Sequence, residues 1–318
     1  MEIMLQILGG IAGVALLYYG AEYLIRGGVS IANKLKIPSL IIGLTLVAFG
    51  TSAPELFVSI DAALKGTGDI SIGNVVGSNI CNIALILGVS ATISPLAVQL
   101  QMLKLDLPVM VLSALALLIF YGFSQGVERW QAAILFIGIL SYTGLRIFLA
   151  RKEESHGSDN EEEELLKSSY PLWLSLLLCI GGLAGVTFGS KLFVAFAIFL
   201  AKLCNVSEAV IGLTVVAVGT SLPELATSVV AAIKKENDIA IGNVVGSNIF
   251  NILCILGIAP LISPIHSPGI SWIDMCMMVA LSLLLYPLMR FGMKIGRLKG
   301  AFLLIVYLAY TTWLVINV

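Results

Sequence analysis

The sequence predicts an all-α membrane protein of about ten transmembrane helices, built as two inverted five-helix repeats with broken helices at the midplane. Three observations lead there. The 318 residues are 58% apolar and only 12% charged, with mean hydropathy +1.02, whereas soluble domains carry about 25% charged residues. Apolar stretches of about 20 residues, long enough to cross a bilayer, recur along the whole chain. The two halves also repeat one another at a fixed offset.

Taken in order, spans are expected near 3–25, 40–61, 71–93, 105–123 and 130–149, and then near 171–196, 209–232, 240–262, 271–289 and 300–316. The start, Met1-Glu2-Ile3, has no basic n-region, so the first segment reads as a span and not as a cleaved signal. Residues 1–150 form the first repeat and 170–318 the second. Between them, 151–169 holds Glu153, Glu154, Asp159 and the run Glu161 to Glu164 without apolar periodicity, which reads as a solvated acidic linker. With the N-terminus outside, thirteen Lys and Arg, among them Lys34, Lys104, Arg146, Lys234 and Arg290, fall on the cytoplasmic side and three (Lys65, Arg129, Lys202) on the other. That bias places the linker in the cytoplasm. Net charge is −1 with no basic tract, which argues against nucleic acid. Five scattered cysteines without a Cys-x-x-Cys pair suggest neither disulfides nor zinc, only apolar packing. His156 and His266 fall in predicted loops, so histidine proton relays and His-liganded metal catalysis are not expected.

The repeat is specific. Gly43 to Ser59 matches Gly212 to Ser228, and the offset is constant: 220−51 = 169, 224−55 = 169 and 248−79 = 169. Between 71–90 and 240–259, fourteen of twenty positions are identical, too many for shared hydrophobicity alone. Five spans per half is an odd number, so the second half enters the membrane from the opposite side, an inverted-topology repeat of the kind many secondary transporters use.

Two motifs carry the chemistry. The hexad Gly50-Thr51-Ser52-Ala53-Pro54-Glu55, with its twin Gly219-Thr220-Ser221-Leu222-Pro223-Glu224, sits inside an apolar span. A carboxylate there costs a few kcal/mol, so it is rarely idle. Pro54 lacks an N–H, which breaks the helix and is expected to free backbone carbonyls around Ala48 to Thr51, and around Ala217 in the twin. Thr51 and Glu55 stand four apart, Ser52 and Glu55 three apart, so they share a helix face. Carboxylate, hydroxyl and carbonyl oxygens together suit Ca2+ or Na+. The plainer alternative is a proline kink with a capping box, in which Thr51 or Ser52 caps the helix that Glu55 begins; it explains one hexad better than two. The second motif, Gly73-Asn74-Val75-Val76-Gly77-Ser78-Asn79-Ile80, recurs at Gly242 to Ile249. Asn74, Ser78 and Asn82 make one polar stripe, repeated by Asn243, Ser247 and Asn251. Gly73 and Gly77 have the spacing that lets membrane helices approach closely. Asn79 and Asn248, off the stripe, read as interhelical hydrogen-bond glue, and Ser78, Asn82, Ser247 and Asn251 as cavity lining. Glu55 and Glu224 would supply −2 at the midplane, matched by one Ca2+ or two Na+, with protons competing for the same oxygens. Glu22, Asp61, Asp69, Asp106, Asp238 and Asp274 fall near span ends or loops, where solvated or capping roles are expected.

Through these paired motifs the chain resembles the sodium/calcium exchanger branch of the cation/calcium antiporter superfamily, in its small prokaryotic form. The motifs cover about a quarter of the chain, and the ten-span layout extends the match over its length. Proton-coupled relatives carry Gly-Asn-x-x-Glu where this chain has Gly-Thr-Ser-x-Pro-Glu, which favours sodium coupling. The resemblance implies a central site with Glu55 and Glu224 as shared carboxylates. Thr51, Ser52, Thr220 and Ser221 would stand beside them, the carbonyls of Ala48 and Ala217 would serve sodium, and Ser78, Asn82, Ser247 and Asn251 would complete the ring. Some members have Asp at one position of the Asn82/Asn251 pair; here both are Asn, which bears on protons, potassium and the central ion. The resemblance further implies Na+/Ca2+ antiport in a prokaryotic plasma membrane. Spans 1 and 6 would slide across a fixed core on Gly9, Gly10, Gly13, Gly181, Gly182 and Gly185. No enzyme activity, cofactor or obligatory protein partner is expected; Ca2+ and Na+ are the transported ions and the bilayer the surroundings. Proton- or potassium-coupled cation exchange stays the alternative. An intramembrane hydrolase using Ser52 or Ser221 would lack a His or Lys partner, and an ion pump would lack a phosphate-binding loop. A passive channel is disfavoured by paired buried acids at a repeat interface.

Overall fold

The computed structural model describes residues 2–153, 170–204 and 217–317. Most of the acidic linker, with His156 and the Glu161 to Glu164 run, lies outside the described residues, as does the first part of the span expected at 209–232.

The described chain is helical almost throughout. It comprises α1 (Glu2–Leu35), α2 (Ser39–Thr51), α3 (Ala53–Leu64), α4 (Gly68–Ile93), α5 (Met102–Ser124) and α6 (Arg129–Glu153). The second half follows with α7 (Leu172–Leu203), α8 (Leu222–Ile233), α9 (Asn237–Ile262), α10 (Trp272–Arg290) and α11 (Arg297–Asn317). Among the described residues, eight helices are long and apolar enough to cross a membrane, and α2 with α3, bent by 46°, make a ninth. α8, after the short turn Ala217–Gly219, takes the tenth place. Helix α1 runs ten residues and α7 seven residues beyond the expected spans.

Burial decides the layers. α4 and α9, which carry the Gly-Asn motif, have 72% and 83% of their most apolar windows buried, against 17% for α7 and 11% for α11. An apolar helix that stays exposed faces lipid, and one apolar all round and buried is the core. Gly242 and Gly246 allow α9 to lie against α2: a Cβ on Gly246 would stand 2.7 Å from the Leu44 carbonyl oxygen. Gly73 and Gly77 make no such backbone contact among the described residues; their partners by the 169-residue offset are 212 and its neighbours, outside them.

Four two-residue strands, absent from the sequence reading, stitch the span ends. β1 (Leu96–Ala97) pairs antiparallel with β4 (Lys294–Ile295), and β2 (Gly126–Val127) with β3 (Ile265–His266). Since 96+169 = 265, β3 is the repeat twin of β1, so both ladders join one repeat to the other and obey the same pseudo-twofold relation.

The glycines of α1 and α7 correct one expectation. The close contacts of those named above are with each other's helix and not with the core helices. A Cβ on Gly20 would meet the Val186 nitrogen at 2.7 Å and one on Gly182 the Leu24 nitrogen at 2.5 Å, while Gly13 meets Gly189. Gly13 and Gly20 map onto Gly182 and Gly189 by the same offset, so the crossing is symmetric. Gly185 approaches Gly20 and Gly10 faces the Phe196 ring, but Gly9 and Gly181 meet nothing within 4 Å.

Three acids expected near loops are structural. Asp106 is fully buried, 3.2 Å from the Arg146 Nε and accepting from the Tyr142 hydroxyl at 2.8 Å. Arg146, counted above among the flanking charges, is itself buried. Tyr310 donates to Asp274 at 2.7 Å, the same pair at an offset of 168. Asp69 accepts from the Ser267 hydroxyl and the Gly269 N–H and so pins the loop before α10.

Candidate functional site

The hexads meet where the chain breaks. Ser52 (φ −83°, ψ 5°) and Ser221 (φ −87°, ψ 6°) leave the helical path at equivalent places, and α3 and α8 restart with a proline in their first two positions. Neither serine caps its own helix, so the capping-box reading fails. Instead the hydroxyls cross between repeats: Ser52 donates to Glu224 Oε1 at 2.8 Å, and Ser221 to Glu55 Oε1 at 3.3 Å. Ser78 lies 3.3 Å from Ser221. Thr51 crosses likewise, its hydroxyl donating to Asn243 Oδ1 of the other repeat. Both carboxylates are buried.

The remaining oxygens are the informative ones. Glu55 Oε2 and Glu224 Oε2 are buried and have no donor among the described residues. Around them Asn82 is unpartnered at both amide atoms, as are the Ser247 hydroxyl and the Asn251 carbonyl oxygen. Buried polar atoms are nearly always satisfied, and leaving each bare costs about 1–3 kcal/mol. A cluster of bare oxygens at a repeat interface is therefore an arrangement awaiting a positive charge. No group of three or more His, Cys, Asp or Glu occurs among the described residues, so any cation here leans on two carboxylates and neutral oxygens.

Local structure explains the aim of these side chains. Asn82 lies in a π-helical stretch, Cys81–Ile86, and Asn251 opens another, Asn251–Ile255. A π turn inserts an extra residue and re-aims the face that follows, and it is common at functional sites. The Asn251 amide donates to Asn79 Oδ1 at 3.0 Å, and the Asn79 amide reaches the Asn248 carbonyl at 3.4 Å. Asn79 is thus the interhelical glue expected of it, and Asn251 joins it with its nitrogen only; the Asn248 amide instead donates within its own helix, to the Val244 carbonyl at 2.7 Å, and only its backbone carbonyl takes part.

One backbone expectation needs correction. The Ala48 carbonyl is not freed by the break: it accepts the Ser52 N–H at 3.0 Å. The carbonyls that Pro54 and Pro223 strand are those of Gly50 and Gly219, and the latter is recovered by the Ser190 hydroxyl of α7 at 2.8 Å. Its repeat equivalent is Ala21, so this tie exists in one half only. Ala217 sits in the short turn that leads to the break.

Asn74 and Asn243 do more than extend the polar stripes. Asn74 donates to the Glu55 carbonyl and the Ser59 hydroxyl, and Asn243 to the Glu224 carbonyl and the Ser228 hydroxyl. The Asn243 carbonyl oxygen also lies 3.1 Å from the Thr51 hydroxyl. These contacts hold each carboxylate-bearing turn against the buried helix. The retained fifteen-residue spacing, Ser59 to Asn74 and Ser228 to Asn243, was the available signal.

Comparisons with known proteins point to one family. The profile of the family described as sodium/calcium exchanger protein matches residues 5–148 and 174–316. The chain is similar to the sodium/calcium exchanger MaX1 of Methanosarcina acetivorans, 34% identical over 336 residues that cover 94% of this chain and 95% of that protein. It is similar to the inner membrane protein YrbG of Escherichia coli, 37% identical with 96% of each chain covered. The structure of the sodium-calcium exchanger NCX_Mj, soaked with zero Na+ and Ca2+, superposes with a TM-score of 0.83 at 34% identity, covering 98% of this chain and 99% of the other.

Proposed function

The chain belongs to the sodium/calcium exchanger family, and from that premise we propose that it exchanges Na+ for Ca2+ across a prokaryotic plasma membrane by alternating access, extruding calcium. The observation that carries this is the pair Glu55 and Glu224. Each comes from one repeat, each is held through one oxygen by a serine of the other repeat, and each presents a second oxygen without a donor. Two carboxylates give −2, which one Ca2+ or two Na+ neutralises, so the ions exclude one another by charge.

In this reading Thr51, Ser52, Thr220 and Ser221 turn their hydroxyl lone pairs to the ion. Ser78, Ser247, Asn82 and the Asn251 carbonyl oxygen complete the oxygen shell. The Ala48 and Ala217 carbonyls offer a lone pair to Na+. Hard oxygen donors of mixed charge suit both ions, and Asn at both 82 and 251 keeps the formal charge at −2. Ser52 and Ser221 work as ligands, since each hydroxyl is already committed to a carboxylate without a His or Lys beside it. Residues 1–150 and 170–318 act as the two repeats, joined by a cytoplasmic linker at 151–169, with the N-terminus outside. The tightly crossed α1 and α7 move as one unit past α2, α3, α8 and the buried α4 and α9.

The experiment is radiocalcium flux in proteoliposomes under separately imposed Na+, K+ and pH gradients. Na+-gradient-driven flux is expected, and its loss in both Glu55→Gln and Glu224→Gln. Normal flux in either variant rejects the site; flux driven only by a pH or K+ gradient moves the coupling to the alternative ion.

A further inference from the structure

The two repeats differ where α1 meets the end of α8. Glu22 of α1 is buried, yet Lys234, the residue that ends α8, donates to its Oε1 at 2.8 Å, and Arg26 one helical turn away grips the same oxygen. Glu22 therefore ties the α1–α7 unit to a helix of the carboxylate-bearing core. The 169-residue offset puts Lys191 at the place of Glu22 and Lys65 at the place of Lys234. At the other end of the fold the same contact would join two cations. Here they are apart: Lys65 is exposed and paired with Asp61 at 2.6 Å, and the Lys191 ammonium lies 5.9 Å from the centre of the Phe188 ring.

Alternating access in inverted repeats rocks one bundle against the other around a fixed site, and the pseudo-twofold relation makes the contact that closes one side the counterpart of the contact that closes the other. Closing the Lys234 side joins Glu22 to Lys234. Closing the opposite side would bring Lys191 toward Lys65, where like charges oppose each other. We infer that Glu22 and Lys234 form a one-sided latch between the moving pair and the core, and that Lys191 denies the other side its counterpart, so that the ion-free exchanger rests closed on the Lys234 side. The inference rests on the alternating-access reading above. These four positions break the symmetry, whereas the glycine crossing and the paired carboxylates are shared by both repeats. Ser190, next to Lys191, adds a second one-sided tie through the Gly219 carbonyl.

Hydrogen–deuterium exchange on the full-length protein in nanodiscs, without Na+ or Ca2+, tests the latch. In wild type, the end of α1 and residues 230–236 should be protected and residues 58–66 open. Glu22→Gln and Lys234→Gln should raise exchange at the first place and lower it at the second, a roughly fivefold shift in the ratio of states for a half-buried ion pair. Lys234→Arg should keep the wild-type pattern. Lys191→Glu, which supplies a partner for Lys65, should shift the ratio the same way with Glu22 intact. Unchanged exchange in Glu22→Gln, or a rise at both ends together as loosened packing would produce, overturns the latch. So does a Lys191→Glu protein with the wild-type pattern. This readout does not depend on which ion is carried: a wild-type protein without Na+-driven Ca2+ flux would overturn the exchange reading and leave the latch to be judged by its own exchange pattern.

Discussion

Replacing Asp106 by Asn is the most demanding test of the packing, since the sequence places that residue near a loop and the structure buries it completely. Asn keeps the size and the hydrogen bond to Tyr142 but leaves the Arg146 guanidinium, only 1% exposed, without its counter-charge. Breaking one partner of a buried pair costs about 3–5 kcal/mol. At roughly 2–4 °C per kcal/mol, the melting midpoint of the detergent-solubilised protein should fall by about 10 °C, read as the folded fraction in size exclusion after heating. Arg146→Met alone should cost less, because Asp106 retains the Tyr142 donor and can take up a proton. The double variant should recover most of the loss, since a buried pair replaced by apolar groups is often neutral. An Asp106→Asn protein as stable as wild type, or a double variant less stable than either single, would refute the ion-pair account. The twin Asp274–Tyr310 pair lacks an arginine, so Tyr310→Phe should cost only the ~1 kcal/mol of one hydrogen bond.

Gly182→Val should abolish flux and lower stability, because a Cβ there stands 2.5 Å from the Leu24 nitrogen and drives α1 from α7; Gly9→Val, with nothing within 4 Å, should leave both at wild-type levels. Ser52→Ala removes the 2.8 Å bond to Glu224 and a hydroxyl ligand. At about 1.5–3 kcal/mol for a hydrogen bond to a charged group, Ca2+ binding by calorimetry should weaken roughly tenfold to a hundredfold. Ser221→Ala, whose bond is 3.3 Å, should weaken it less.

The sequence alone was enough for the membrane class, the repeat and the two acids. Hydropathy over a span is a sum of local terms, a fixed 169-residue offset is visible without folding, and a glutamate beside a proline in an apolar run is costly wherever its helix lies. The same local logic placed Asn79 off the polar stripe, where it serves as glue, but Asn248, its twin, turns its amide back to Val244 of its own helix. It failed where meaning depends on the neighbour. Ser52 looks like a helix cap, yet its hydroxyl crosses 172 positions to Glu224. Arg146 counts as a flanking charge until Asp106 on another helix meets it. The α1 and α7 glycines have membrane-packing spacing, but only the crossing shows that they face each other and that Gly20 and Gly189 belong with them. The π turns at Asn82 and Asn251 follow from packing and leave no signature in composition. Residue type and spacing determined which groups this protein brings into the membrane; the antiparallel return of the second repeat decided which of them meet, because hydrogen bonds and ion pairs are satisfied in space and not along the chain.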